Sequence, residues 1–164
     1  MPDQSCPYDG PLHPIWECDP EDPEDGLWVF DVAELTAEEL AEMLRAHARG
    51  LYAEEAAVEL LIAHRHWLHD PELRTYVDAV LGYGTDRRVP MASVAWSAVV
   101  EAIRDGGLYA STSEAAMLRI AASLASYPVE VGLRHALAGL DARDSGLVGL
   151  AIAHAAGERQ EWPA

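Results

Sequence analysis

Four residues near the N-terminus carry side chains that bind zinc in proteins. Cys6, Asp9, His13 and Cys18 supply two thiols, a carboxylate and an imidazole, and tetrahedral zinc sites accept all three ligand types. The stretch Cys6-Pro7-Tyr8-Asp9-Gly10 resembles a zinc-ribbon knuckle with aspartate in place of the second cysteine. A metal would order a segment that has no helical periodicity. Two unpaired thiols on a loop are the simpler interpretation, and a Cys6–Cys18 disulfide is disfavoured in a reducing compartment.

A second cluster of candidate ligands is rich in histidine and spans residues 64–70. If a helix covers about 52–69, His64 and His66 point to opposite sides and cannot share a metal, whereas His66, His69 and Asp70 share one face. Favourable interaction of histidines with the helix dipole is the simpler explanation. His47 and His64 are about 16 Å apart along an antiparallel helical hairpin. We therefore expect two separate, hydrogen-bonded core histidines.

Arg87 and Arg88 form the one adjacent basic pair, on a glycine-rich loop. They could hold an anionic ligand or dock the acidic N-terminal segment, and a solvated loop is the simpler interpretation. Signatures of serine hydrolases, nucleotide-binding loops and zinc proteases are absent from the sequence. This absence favours a non-enzymatic protein without a cofactor.

The charge of the chain limits its partners. It has 28 acidic residues, 11 arginines, no lysine and a net charge of −17; residues 1–44 hold 13 acids and no base. Such a chain repels phosphate backbones and anionic lipid surfaces, so we expect neither direct nucleic-acid binding nor membrane binding. The same field could steer a basic protein partner. No secretory signal is visible, and we expect a cytoplasmic location.

The elements that must position these residues divide the chain into an arm and a body. Residues 1–35 form an acidic, proline-rich arm with a short extended segment predicted at 27–32, since proline prevents a continuous helix. Residues 36–157 are predicted to be helical, and 158–164 to be a C-terminal tail.

Helix boundaries in the body follow from capping patterns. Thr36 with Glu39 and Ser111 with Glu114 are capping boxes, which mark helix starts. Asp70-Pro71 begins a third helix, whose core-facing residues extend to Leu81. Asp141 caps the last helix. A fourth helix over about 91–105 is apolar on most sides and is therefore predicted to be central. We expect an all-α fold, a compact bundle of six to seven helices.

Val58 and Ile62 point away from the main apolar face of the second helix. Apolar residues there predict a second contact. Another helix of the same chain is the commonest cover, and a partner protein or a second copy in a homodimer is the alternative.

The stretches Ala56–Trp67 and Ala138–Gly157 resemble small alanine-rich helical proteins of unknown function from high-GC actinobacteria. The resemblance implies a bacterial cytoplasmic protein, and its packing patterns carry over no catalytic residue. Together these features predict a helical module that binds another protein, using Val58, Ile62, Arg87 and Arg88. The alternatives are a zinc protein using the arm and an acidic decoy that imitates nucleic acid toward a basic partner.

Overall fold

The described part of the chain contains an antiparallel sheet of four short strands, two in the predicted arm and two in the region that the sequence predicted to be helical. The computed structural model describes residues 6–18, 26–85 and 87–163. Within them the strands are β1 (Ile15–Cys18), β2 (Gly26–Val29), β3 (Val77–Tyr83) and β4 (Arg88–Val94). They pair in the order β1-β2-β3-β4. The fold is therefore mixed α and β, and the prediction of an all-α helical bundle is wrong.

Seven α-helices accompany the sheet in the described part of the chain. They are α1 (Ala37–Ala48), α2 (Tyr52–His64), α3 (Pro71–Arg74), α4 (Trp96–Asp105), α5 (Thr112–Ala125), α6 (Leu133–Leu137) and α7 (Ala142–Ala155). A 3₁₀ turn covers Trp67–His69. None of the described helices is both long and apolar enough to cross a membrane.

The predicted third and fourth helices overlap the β3–β4 hairpin. Asp70 does cap α3, accepting from the backbone N–H of Glu72 at 2.8 Å, but α3 ends at Arg74. β3 then buries every second residue, with Val77 and Leu81 toward the core and Val80 on the opposite side. Because Val80 is also apolar, the period of two is obscured in the sequence and a helical spacing fits equally well.

The helix starts that depend on local side-chain bonds were predicted correctly. The backbone N–H of Thr36 donates to Glu39 Oε2 at 2.8 Å, and that of Ser111 donates to Glu114 Oε2 at 2.7 Å, completing both capping boxes. These bonds satisfy N–H groups that no earlier turn can reach.

The central helix is α2 and not α4. It packs against α1, α5 and α7, and Ala56, Ala57, Leu60 and Leu61 are almost fully buried. On α4 only Trp96 and Val99 are buried.

Helix α1 packs against β4, which defines the inner side of the sheet. Aromatic side chains hold β1 and β2 together: the Trp16 and Trp28 rings lie 5.4 Å apart, edge to face. Phe30, directly after β2, is buried in the core.

Candidate interaction surfaces

Residues 6–18 of the N-terminal arm lie against the body. The Tyr8 ring meets the Phe30 ring edge to face with centroids 6.2 Å apart, and Cys6, Tyr8 and Leu12 pack against the hydrophobic core. The apolar side chains of the acidic arm thus hold it on the domain.

The predicted zinc ligands are only partly described. Cys6 is a half-buried free thiol, while Asp9 and His13 are exposed. No group of three or more histidine, cysteine, aspartate and glutamate side chains in the described ranges is arranged to hold a metal ion. The Cys18 side chain lies outside the described residues, so the complete four-residue set stays a prediction.

Arg87 and Arg88 lie beside the arm. A cleft of about 660 Å³ is lined by residues 6–10 on one side and residues 87–90 on the other. The Arg88 guanidinium lies 3.5 Å from the centre of the Tyr83 ring, whereas Arg87 is exposed. The structure therefore brings the basic pair close to the Cys6–Gly10 stretch.

A second groove between the arm and α1 combines apolar and acidic side chains. It has a volume of about 330 Å³, and we call it the acidic groove. The residues that line it are Tyr8, Pro11, Leu12, Glu38, Glu39, Glu42, Met43 and Pro90. Glu38 and Glu42 are exposed and one turn apart on the same face of α1. None of the lining residues is a cation.

The three glutamates of the acidic groove differ in what they already bind. Glu39 is committed to the capping box, and hydrogen bonds from Thr36 lower its pKa. Glu42 contacts Arg45 Nη1 at 2.8 Å, but Arg45 is also held by both carboxylate oxygens of Glu59. Glu38 and Glu42 are therefore the carboxylates available to a ligand.

Val58 and Ile62 are covered largely by their own chain. Val58 is 3% exposed, and α7 packs along α2. Ile62 is half-buried and lines a cleft of about 530 Å³ together with Trp162 from the C-terminal tail. Another helix of the same chain thus occupies most of this side of α2.

The tail is attached through a chain of hydrogen bonds. The indole N–H of Trp162 lies 3.4 Å from His154 Nδ1, and His154 Nε2 lies 3.1 Å from Glu55 Oε2. An indole nitrogen can only donate, so Nδ1 accepts and Nε2 carries the proton given to Glu55. Hydrogen bonds from the Gly50 N–H and from His154 lower the pKa of Glu55.

His64 lies in a buried polar junction between helix ends. Helix α2 stops at His64 because Arg65 has a φ of 62°, so the His66 ring comes within 6.1 Å of the His64 ring instead of pointing away. His64 Nε2 is 4.0 Å from Asp144 Oδ2, which accepts from the Ser113 hydroxyl at 2.6 Å. The hydroxyl donates to the carboxylate and not to the imidazole, so the serine–histidine pair of a nucleophile and its base is not formed here.

His47 does not have the core position that the sequence predicted. Its side chain is 44% exposed and lies 3.5 Å from Glu54.

Most of these contacts join residues far apart in the chain. The acidic groove takes Leu12 from the arm, Met43 from α1 and Pro90 from β4, so neither spacing nor composition could place them together. The acidic charge of residues 1–44 was the one sequence feature pointing to it. Compared with known proteins, the chain matches no family model, no curated protein and no solved structure.

Proposed function

We propose that this protein is a non-enzymatic interaction module that binds a basic segment of another protein in the acidic groove. The observation that carries the proposal is the lining of that groove, in which apolar side chains are bordered by the exposed carboxylates of Glu38 and Glu42. No lining residue is a cation, and the Arg45 that contacts Glu42 from outside the groove is also held by Glu59. Such a surface favours a ligand with an apolar anchor next to lysine or arginine.

The two kinds of side chain contribute differently to binding. The half-buried Tyr8 and Leu12 offer contact area for the anchor, and burial in such a pocket supplies most of the affinity. Glu38 and Glu42 attract positive charge and mainly accelerate association. The volume of about 330 Å³ is at the lower end of the range for ligand sites, roughly 300–1,000 Å³, which suits one or two peptide side chains.

The proposal is tested with a labelled synthetic peptide of alternating arginine and leucine, followed by fluorescence anisotropy. We expect the double variant Glu38→Gln, Glu42→Gln to bind it about tenfold more weakly at low salt, since each exposed pair is worth up to about 1 kcal/mol. The difference should shrink at 1 M salt, where the screening length is about 3 Å.

A matched control separates the groove from the overall charge. The double variant Glu101→Gln, Glu130→Gln removes the same charge from exposed positions outside the groove and should bind within twofold of the wild type. Equal losses in both double variants would show that only the net charge acts. A third variant, Leu12→Thr, should weaken binding at every salt concentration because it removes apolar contact.

A further inference from the structure

One side of the sheet is apolar across all four strands. The pairing aligns Ile15 with Val29, Val29 with Val80, and Val80 with Met91, so these four side chains form one continuous row. Leu27 and Val89 lie on the same side, two residues along β2 and β4. We call these six residues, Ile15, Leu27, Val29, Val80, Val89 and Met91, the outer sheet face.

The outer sheet face is separate from the core. Val77, Ala79 and Leu81 of β3 point to the core on the inner side, and alternation turns Val80 away from it. Ile15 is 58% and Leu27 55% exposed, and in the described residues none of the six belongs to the core cluster or packs against it. A β-sheet is stabilised when each apolar face is covered by a second layer, and this face lacks one in the described part of the chain.

The parts of the chain that the structure does not describe are poor candidates for that layer. Residues 19–25 read Asp-Pro-Glu-Asp-Pro-Glu-Asp, and residues 1–5 contain one large apolar side chain, Met1. Neither segment has the apolar stripe that an amphipathic cover requires.

A second copy of the chain is a poor occupant as well. With strands about 4.8 Å apart and residues about 3.4 Å apart, the face measures roughly 19 Å by 13 Å, or about 250 Å². A stable interface buries about 800 Å² on each partner. Two copies would also bring together net charges of −17. Charge therefore favours a different molecule over a second copy, and a face of this size suits a single helix better than a whole subunit.

We infer that the outer sheet face binds an amphipathic helix of a partner protein whose apolar stripe is flanked by lysine or arginine. A helix is about 10 Å wide and rises 1.5 Å per residue, so three to four turns cover the face. Glu17 and Asp78 are the charged strand residues on this side, and their carboxylates complement basic flanks. The exposed Arg87 borders the face at one end, next to Val89. This site is distinct from the acidic groove, since α1 and Pro90 lie on the inner side of the sheet.

The probe is a labelled 14-residue helical peptide of leucine and lysine with its leucines on one face; a leucine–glutamate peptide of the same pattern is its control. The triple variant Val29→Thr, Val80→Thr, Met91→Thr should bind the lysine peptide at least tenfold more weakly. Threonine keeps a high strand propensity, and the changed side chains point away from the core, so the fold should persist. The single variant Met91→Gln gives a milder test, with an expected loss of severalfold.

Two control variants locate the effect. Ile152→Thr removes a 49% exposed apolar side chain from α7 and should change affinity less than twofold. The acidic-groove variant Glu38→Gln, Glu42→Gln should also bind the helical peptide as the wild type does. A loss of binding at the acidic groove is then distinguishable from a loss of binding at the outer sheet face. Hydrogen exchange on the wild type should slow in β2, β3 and β4 when the peptide is added.

Three results would overturn the inference. The triple variant could bind the lysine peptide as tightly as the wild type. The glutamate peptide could bind as well as the lysine peptide, in which case charge does not select the partner. The wild type could sediment as a dimer that the triple variant converts to a monomer, which would assign the face to a second copy.

Discussion

At the scale of single residues, His64 makes the stability of the fold depend on pH. Its side chain is 8% exposed, Nδ1 is buried without a hydrogen-bond partner, and burial lowers its pKa below the ordinary value of 6.5. The neighbouring carboxylate of Asp144 acts in the opposite direction but does not reverse the shift. Protonation of His64 therefore favours the unfolded chain.

The pH window follows from the direction of this shift. Above about pH 6.5 the imidazole is neutral in both states, and its contribution to stability is complete. As the pH falls from 6.5 toward the lower pKa of the folded state, the unfolded chain takes up the proton first and stability is lost.

We expect His64→Gln to unfold with a smaller difference between pH 7.5 and pH 5 than the wild type. Glutamine does not titrate, although it lowers stability at both values because it packs less well. Urea denaturation at the two pH values measures the difference. His135→Gln, at an exposed position, should retain the wild-type pH dependence. An unchanged pH dependence in His64→Gln would assign the effect to another group.

At the scale of elements, hydrogen bonds within a single turn determine where α1, α5 and α7 begin. On α5 the Ser111 side chain accepts a hydrogen bond from the Glu114 N–H at 3.3 Å, and Glu114 Oε2 accepts one from the Ser111 N–H. On α7 Asp141 accepts from the Asp144 N–H at 2.8 Å. Each cap involves residues three apart, so each can be predicted from the sequence.

We expect Ser111→Ala to lower the free energy of unfolding by about 1 kcal/mol, the usual cost of removing a helix cap. Thermal and urea denaturation measure the loss. Ser97→Ala removes an exposed hydroxyl from the first turn of α4, where it is not the helix cap, and should change stability by no more than about 0.5 kcal/mol. Equal losses in the two variants would mean that the cap itself contributes little.

The extended segment predicted at 27–32 overlaps β2, but β1, β3 and β4 were missed because strand pairing joins distant residues. Val29 meets Val80 and Val77 meets Val94, and no local bond marks these contacts. The alternation that usually reveals a strand is hidden in β3 and β4, where Val80 and Met91 make the second face apolar too. The acidity of the groove was visible in the composition, but its shape depends on the same long-range packing.

At the scale of the whole molecule, the N-terminal segment is part of the fold and not only a carrier of charge. It contributes β1, the Trp16–Trp28 contact and the Tyr8 ring against Phe30. It also supplies part of the acidic groove. Removing it should therefore affect both stability and binding.

We expect deletion of residues 1–26 to lower the free energy of unfolding by about 2–4 kcal/mol, because two aromatic contacts, each worth up to about 1.5 kcal/mol, and their buried area are lost. The helices should persist in circular dichroism, while affinity for the arginine–leucine peptide should disappear. An unchanged midpoint of denaturation in the truncated chain would show that the arm adds nothing to stability.

The contact between Trp16 and Trp28 has an optical consequence. Two indole rings 5.4 Å apart and steeply inclined to each other couple their electronic transitions. Coupling of this kind splits the far-ultraviolet dichroism band into a pair of opposite sign, a signal that a single tryptophan does not give. The protein thus contains its own spectroscopic reporter of the β1–β2 hairpin, readable without a label while a ligand or denaturant is added.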